Sequence, residues 1–296
     1  MKKNTLCFVT GSRAEFGLIH SLLKKIQSEE KINLDLLVTG MHLMREFGLT
    51  VKEISKSKIR ISKKIKTISS IKRADYIINS LSIGVKKFGD YFRKKKPSLV
   101  CLPADRHEML APAIAAFHEN IPIAHFFGGE LTNGSKDDTI RHCLTKLSNL
   151  HFVTHPEHKK RVIQLGENPK NVYLVGNMAI DNILSTKYLN KKILEKKINH
   201  KFLKKSILVT YHPISTNLST TKIELRNLLY ALNKLNDVDI LFTKPNNDYG
   251  SEIVLKMIKN FIKRNNRRAK LYNSLGHEIY YSTVRRVDCV VGNSSS

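Results

Sequence analysis

Leu6-Cys7-Phe8-Val9-Thr10-Gly11-Ser12-Arg13-Ala14-Glu15-Phe16-Gly17, residues 6–17, is the stretch that decides the fold class. Its first four residues are apolar without alternation, as in a strand buried on both faces. The glycine-opened turn behind them leads into residues 16–27, whose apolar spacing predicts a helix. The same unit recurs outward from there. Strand-like runs lie at Leu34 to Val38, Leu99 to Leu102, Ile121 to Ala124, His151 to Val153 and Val172 to Val175. After a segment rich in Lys, Leu and Asn, further runs lie at Ile207 to Val209, Val238 to Phe242 and Val287 to Val291. Residues 107–118 also read as a helix, with Pro112 in its first turn or kinking it. Apolar runs alternating with helices predict parallel sheets covered on both faces. The chain therefore reads as α/β, with two Rossmann-like doubly wound domains and a cleft between them. The change falls near residues 178–200, which gives domains of 1–180 and 181–296.

Composition supports this. A chain of 296 residues, at about 150 per domain, has room for two cores. Hydrophobic residues make up 41% and charged residues 26%, the balance of a globular chain rather than a disordered one. No apolar run approaches the roughly 20 residues of a membrane span, so no membrane partner is expected. The start, Met1-Lys2-Lys3 and a very short apolar stretch, does not read as a signal peptide, and a cytoplasmic location is expected. Cys7, Cys101, Cys143 and Cys289 show no metal-ligand or disulfide spacing and are expected to be buried, reduced thiols. The net charge of +26 invites a nucleic-acid reading. However, the basic residues fall in separate clusters among Ile, Leu and Asn, with no zinc finger, RNP-type aromatic motif or basic tail. A solvated lysine surface that attracts an anionic small substrate fits better, and no nucleic-acid partner is expected.

In open α/β sheets, ligands bind beyond the carboxyl ends of the strands, so the residues after each strand carry the functional reading. They are Gly11 to Gly17, Thr39-Gly40-Met41-His42, Asp105-Arg106-His107-Glu108, Gly128-Gly129-Glu130, Asp137-Asp138 and Arg141-His142. The second domain adds Tyr211-His212-Pro213, Lys244 to Asp248 and Gly292-Asn293-Ser294-Ser295-Ser296. Singly, Asp137 could be a helix cap and Asp105-Arg106 a local ion pair. Ionisable groups at nearly every strand end are together a site. The last motif offers backbone N–H groups and hydroxyls to a phosphate, with Arg13 and His212 expected to face the same anion.

These segments resemble the hydrolysing UDP-N-acetylglucosamine 2-epimerases, especially the bacterial sialic-acid and legionaminic-acid branch. The matching segments, in the family's order and across nearly the whole chain, are GSRAEFGL, TGMHL, ADRHEML, IPIAHFFGGE, DDTIRHCLTKLSNLHF, KRVIQLGENPKNVYLVGN, TYHPIS and VVGNSSS. The resemblance implies a fold like that of the two-domain nucleotide-sugar glycosyltransferases. It also implies elimination of UDP with the proton at carbon 2, then hydration of a 2-acetamidoglucal to N-acetylmannosamine. Such chemistry needs an acid and a base, and cations and N–H donors around the departing diphosphate. On this resemblance Asp105, Glu130, Asp137, Arg141 and His212 are catalytic. Arg13, Glu15, His42, Arg106, Asn246, Gly292, Asn293, Ser294 and Ser295 bind substrate. It implies a UDP-sugar partner, no metal, no cofactor, and a homo-oligomer, dimer or tetramer, when full length.

The sequence departs from the family in three places. Phe127 stands where relatives usually carry glutamate or histidine, and Ala104 replaces a glycine before Asp105. The sequence stops at Ser296, inside the phosphate motif, from which a C-terminally truncated, incomplete second domain, poorly soluble and close to inactive, is expected. Two other readings stand beside the enzyme: an inactive nucleotide-sugar binder, and the same reaction on a UDP-2,4-diacetamido sugar.

Overall fold

The computed structural model describes residues 3–68, 75–103, 105–132, 135–213, 217–245 and 250–293. The chain divides into two units, Met1–Leu184 and Ser185–Ser296. The division lies after Leu184 rather than after residue 180. The reason is that Asn182 is buried against the first unit, its amide donating to the carbonyl of Gly17 at 2.7 Å.

The first unit is built on β1 (Asn4–Thr10), β2 (Ile32–Val38), β3 (Lys63–Lys64), β4 (Leu99–Pro103), β5 (Ile123–Phe126), β6 (Leu150–Val153) and β7 (Val172–Leu174). Its helices are α1 (Arg13–Ser28), α2 (Val51–Lys56), α3 (Tyr76–Lys95), α4 (Leu110–His118), α5 (Lys136–Leu147), α6 (Pro156–Gln164) and α7 (Met178–Ser185). The sheet runs β3-β2-β1-β4-β5-β6-β7, every pairing parallel. The chain thus grows outward from β1 to one edge, then returns to β4 and grows to the other. The gap between β1 and β4 is the topological switch point, where such sheets leave a crevice at their carboxyl ends.

Two apolar layers hold this sheet. On one face Phe88, Phe92, Met109 and Leu144 cover Cys7, Val9 and Leu102. On the other, Phe16, Ile19, Leu23 and Ile26 of α1 cover Phe8 and Leu36. The spacing of those four α1 residues lays one stripe on the sheet. The helix predicted over 107–118 is a 3-10 turn, His107–Met109, followed by α4, with Pro112 in the first turn of α4.

The second unit holds β8 (Lys205–Thr210), β9 (Val238–Thr243), β10 (Ala269–Tyr272) and β11 (Cys289–Gly292), with α8 (Lys191–Ile198), α9 (Leu218–Asn233), α10 (Ser251–Arg264) and α11 (Gly276–Arg286). Its parallel sheet runs β10-β9-β8-β11. Leu225, Leu229, Val254 and Ile258 pack on one face, and Leu194 and Ile198 on the other. At the edge, β11 leaves Val290 49% exposed. β10 was not expected from the sequence, because AKLY is short and carries a lysine.

The expectation of four buried thiols holds for Cys7 and Cys101 only; Cys143 and Cys289 are exposed. Cys143 lies on an outward face of α5, and Cys289 on the edge strand, where apolar sequence does not guarantee cover. No helix among the described residues is long and apolar enough to cross a membrane.

Candidate active site

At the carboxyl end of β1, Ser12 caps α1 and Glu15 completes a capping box. Glu15 Oε2 accepts from the N–H groups of Gly11 at 2.6 Å and Ser12 at 3.0 Å. The helix N-terminus is therefore occupied by the chain's own carboxyl group. Glu15 and His42, expected among the substrate contacts, are each only 1% exposed. His42 lies between two hydroxyls, Nε2 3.0 Å from Thr10 Oγ1 and Nδ1 2.7 Å from Thr50 Oγ1. Thr10 Oγ1 donates to the carbonyl of Ser12, so it accepts from His42 Nε2–H, and Nδ1 accepts from Thr50. Burial lowers the His42 pKa to about 4, keeping the ring neutral. Arg13, by contrast, is exposed.

After β4, Asp105 and Arg106 are half-buried and Glu108 is buried. Glu108 Oε2 faces Arg106 Nε and His107 Nδ1, each at 3.4 Å. Burial pushes the Glu108 carboxyl up, but Arg106 and His107 outweigh it and hold Glu108 below the usual range. For Glu15 the balance reverses. Burial first, and then the Glu108 charge, push its carboxyl well up, against Arg106 and the N–H groups of Gly11 and Ser12.

Arg141 is the hub of the loops after β4 and β5. Its guanidinium bonds Asp105, the Asp138 carboxylate at 3.0 Å, the Glu130 carbonyl at 2.9 Å and Thr132 Oγ1 at 3.0 Å. Its side chain is 4% exposed, whereas those of Asp105 and Asp138 are 23% and 25% exposed. The buried cation therefore gathers acidic groups whose outer faces stay open to a ligand. Asp137 lies in the first turn of α5, its N–H donating to the Ser135 cap at 3.2 Å. The Glu130 side chain accepts from Thr154 Oγ1 at 3.0 Å, and Thr154 Oγ1 is 2.8 Å from His158 Nδ1. Phe127 takes a left-handed φ of 66° and buries its ring with Phe16 and Phe126, so this position supplies no proton-handling group.

In the second unit, His212 and Asn293 are joined by a reciprocal pair. The His212 N–H donates to Asn293 Oδ1, and Asn293 Nδ2 donates to the His212 carbonyl, both at 2.8 Å. Asn293, expected to bind substrate, thus spends its amide tying the loop after β8 to the end of β11. A Cβ at Gly292 would lie 1.8 Å from the Thr210 carbonyl, so close strand approach demands glycine there. Asn246, Ser294 and Ser295 lie outside the described residues.

The family described as UDP-N-acetylglucosamine 2-epimerase matches residues 24–296. The chain belongs to the UDP-N-acetylglucosamine 2-epimerase family. Within this epimerase family it is 39% identical over 296 residues to the hydrolysing GDP/UDP-N,N'-diacetylbacillosamine 2-epimerase of Campylobacter jejuni, covering all of this chain and 77% of that one. It is 32% identical to the hydrolysing UDP-N,N'-diacetylbacillosamine 2-epimerase of Legionella pneumophila, covering 98% of this chain and 76% of that one. Among solved structures, the UDP-GlcNAc 2-epimerase of Neisseria meningitidis bound to UDP-GlcNAc superposes with a TM-score of 0.82, covering 98% of this chain and 78% of that one. At 18% identity this likeness speaks to the epimerase fold alone, and it agrees with the two doubly wound units expected from the sequence.

In the first unit of this epimerase-family chain, Asp105, Glu130 and Arg141 come together and Asp137 stands at the start of the same α5. Sequence reasoning placed Asp138 and Glu108 in strand-end motifs without a role of their own and did not single out Thr154 or His158. The i,i+3 spacing of Asp138 and Arg141 on a helix was the available signal for one of these. The approach of Glu108 to Gly11 and the bond from Thr154 to Glu130 join different elements. Among the described residues, no group of three or more His, Cys, Asp or Glu side chains is placed to hold a metal ion.

Proposed function

We propose that the chain is a hydrolysing 2-epimerase of a UDP-activated 2-acetamido sugar. In the reaction a carboxylate takes the proton from carbon 2, the bond from carbon 1 to the diphosphate oxygen breaks, and UDP leaves with that electron pair. Water then adds across the resulting double bond, its oxygen to carbon 1 and a proton to carbon 2 from the opposite face, which inverts that centre. The observation that carries this reading is the Arg141 hub, which fixes Asp105 beside the Glu130 backbone at the carboxyl ends of the strands. Asp105, Glu130 and Asp137 are the proton-transfer candidates, Arg13 and Arg106 the candidates for the diphosphate charge, and His212 a second-unit contact.

The 39% and 32% identities to two diacetylbacillosamine enzymes favour a 2,4-diacetamido sugar over UDP-N-acetylglucosamine. Incubating the chain with each UDP-sugar in deuterated water tests both points. UDP release with deuterium at carbon 2 of an inverted product supports the reaction, and the faster substrate names the sugar. Tight binding of both without UDP release would leave a nucleotide-sugar binder instead, the reading that Phe127 favours.

A further inference from the structure

Glu15 and Glu108 meet at the switch point, between the turn that follows β1 and the loop that follows β4. They are 1% and 5% exposed. A Cβ added at Gly11 would lie 3.2 Å from Glu108 Cβ and 3.4 Å from Glu15 Oε2, so both carboxylic side chains flank the same point beside the Gly11 backbone. Their partners differ. Among the described residues, Glu108 has Arg106 and His107, whereas Glu15 Oε2 has the N–H groups of Gly11 and Ser12. Glu15 Oε1 is buried and has no hydrogen-bond partner among the described residues. Among the described residues Arg106 is the permanent cation acting on the two acids, and His42, also near Glu108, is neutral. Arg106 and His107 both lie against Glu108, so the carboxyl left with an unpaired buried oxygen is Glu15, an arrangement a protein relieves by binding a proton there.

We propose that Glu15 is a positioning residue that holds a proton in the folded protein, and that neutral Glu15 fastens the Gly11–Arg13 turn over the Arg106–Glu108 loop. Ionised Glu15 repels Glu108 across Gly11. The turn carrying Arg13 is then driven off the loop carrying Arg106, with Asp105 at its head. Burial and the Glu108 charge raise the Glu15 carboxyl, which agrees in direction. For a folded pKa raised above the unfolded one, the stability it contributes is complete below the ordinary carboxylate range. It is lost as pH rises through the raised value. The activity readout rests on the epimerase reading; the protonation readout does not.

Carboxyl-carbon NMR of the unsubstituted chain, with labelled glutamate, reads the proton directly. One glutamate should keep its protonated shift well above the ordinary range of about pH 4, and that signal should vanish in Glu15→Gln. Every glutamate ionising in the ordinary range overturns the proposal, as does a raised signal that survives in Glu15→Gln. For positioning, Glu15→Ala should lower kcat/KM about 10- to 100-fold. Glu15→Gln should recover most of that and flatten the alkaline decline of the wild-type profile. Equal losses in both variants with an unaltered pH profile would reduce Glu15 to a helix cap and overturn it. Absence of turnover in the unsubstituted chain would count against the epimerase reading, while the carboxyl titration would still decide this one.

Discussion

Asp105 and His42 show how the same unit uses charge in opposite ways. Asp105 is half-buried and bonded to Arg141, so its carboxylate is held in place with one side open. Asp105→Asn keeps that shape but cannot exchange a proton. It should lower UDP release about 10²- to 10⁴-fold while leaving UDP affinity nearly unchanged. Steady-state release within about threefold of the parent would remove Asp105 from the chemistry. His42 is instead kept neutral by burial, with a folded pKa of about 4. A depressed histidine contributes stability that is whole above its unfolded value of about 6.5 and lost as pH falls through the folded one. That amounts to about 3 kcal/mol across the window. Between about pH 6.5 and 4, the urea midpoint of His42→Gln, which has no titrating ring, should therefore fall less, or rise more, than that of the parent.

At the scale of elements, the end of β11 offers the plainest test. A methyl group at Gly292 would overlap the Thr210 carbonyl, so Gly292→Ala should push β11 away from β8. The expected cost is roughly 1–3 kcal/mol, read as faster hydrogen exchange of β8 and β11 amides with the first-unit strands unchanged. The strands and their order of appearance were legible because a strand covered on both faces leaves an unbroken apolar run, as in β1, β4 and β9. Ala269–Tyr272 escaped because a lysine interrupts it, and Lys63–Lys64 because two polar residues carry no period at all. Site residues beyond strand ends were legible as residue types, not as partners. Nothing local in the sequence tells that Glu108 lies against Gly11, since that contact exists only once β4 has paired with β1. Nor does it tell that the Phe127 ring is buried from a left-handed backbone.

For the whole molecule, the governing quantity is the net charge of +26. A nucleotide-sugar diphosphate is an anion, and a strongly basic surface raises the rate at which anions arrive. Raising ionic strength should therefore lower kcat/KM for the UDP-sugar and leave kcat nearly unchanged, because screening acts on encounter rather than on bonded groups. A kcat that falls in parallel would place the salt effect inside the site.

The two units are each one unbroken stretch of chain, and that has a consequence for the order of synthesis. Asp105, Glu130, Asp137, Arg141 and their partners through His158 all precede Leu184. A nascent chain folds in blocks from its N-terminus as it leaves the ribosome. The candidate proton-transfer residues of the first unit can thus leave the ribosome and fold while the codon for Gly292 is still unread. During that interval the newborn protein has Asp105, Glu130 and Arg141 assembled before its second sheet can form, since β11 pairs with β8 only once Cys289–Gly292 exist.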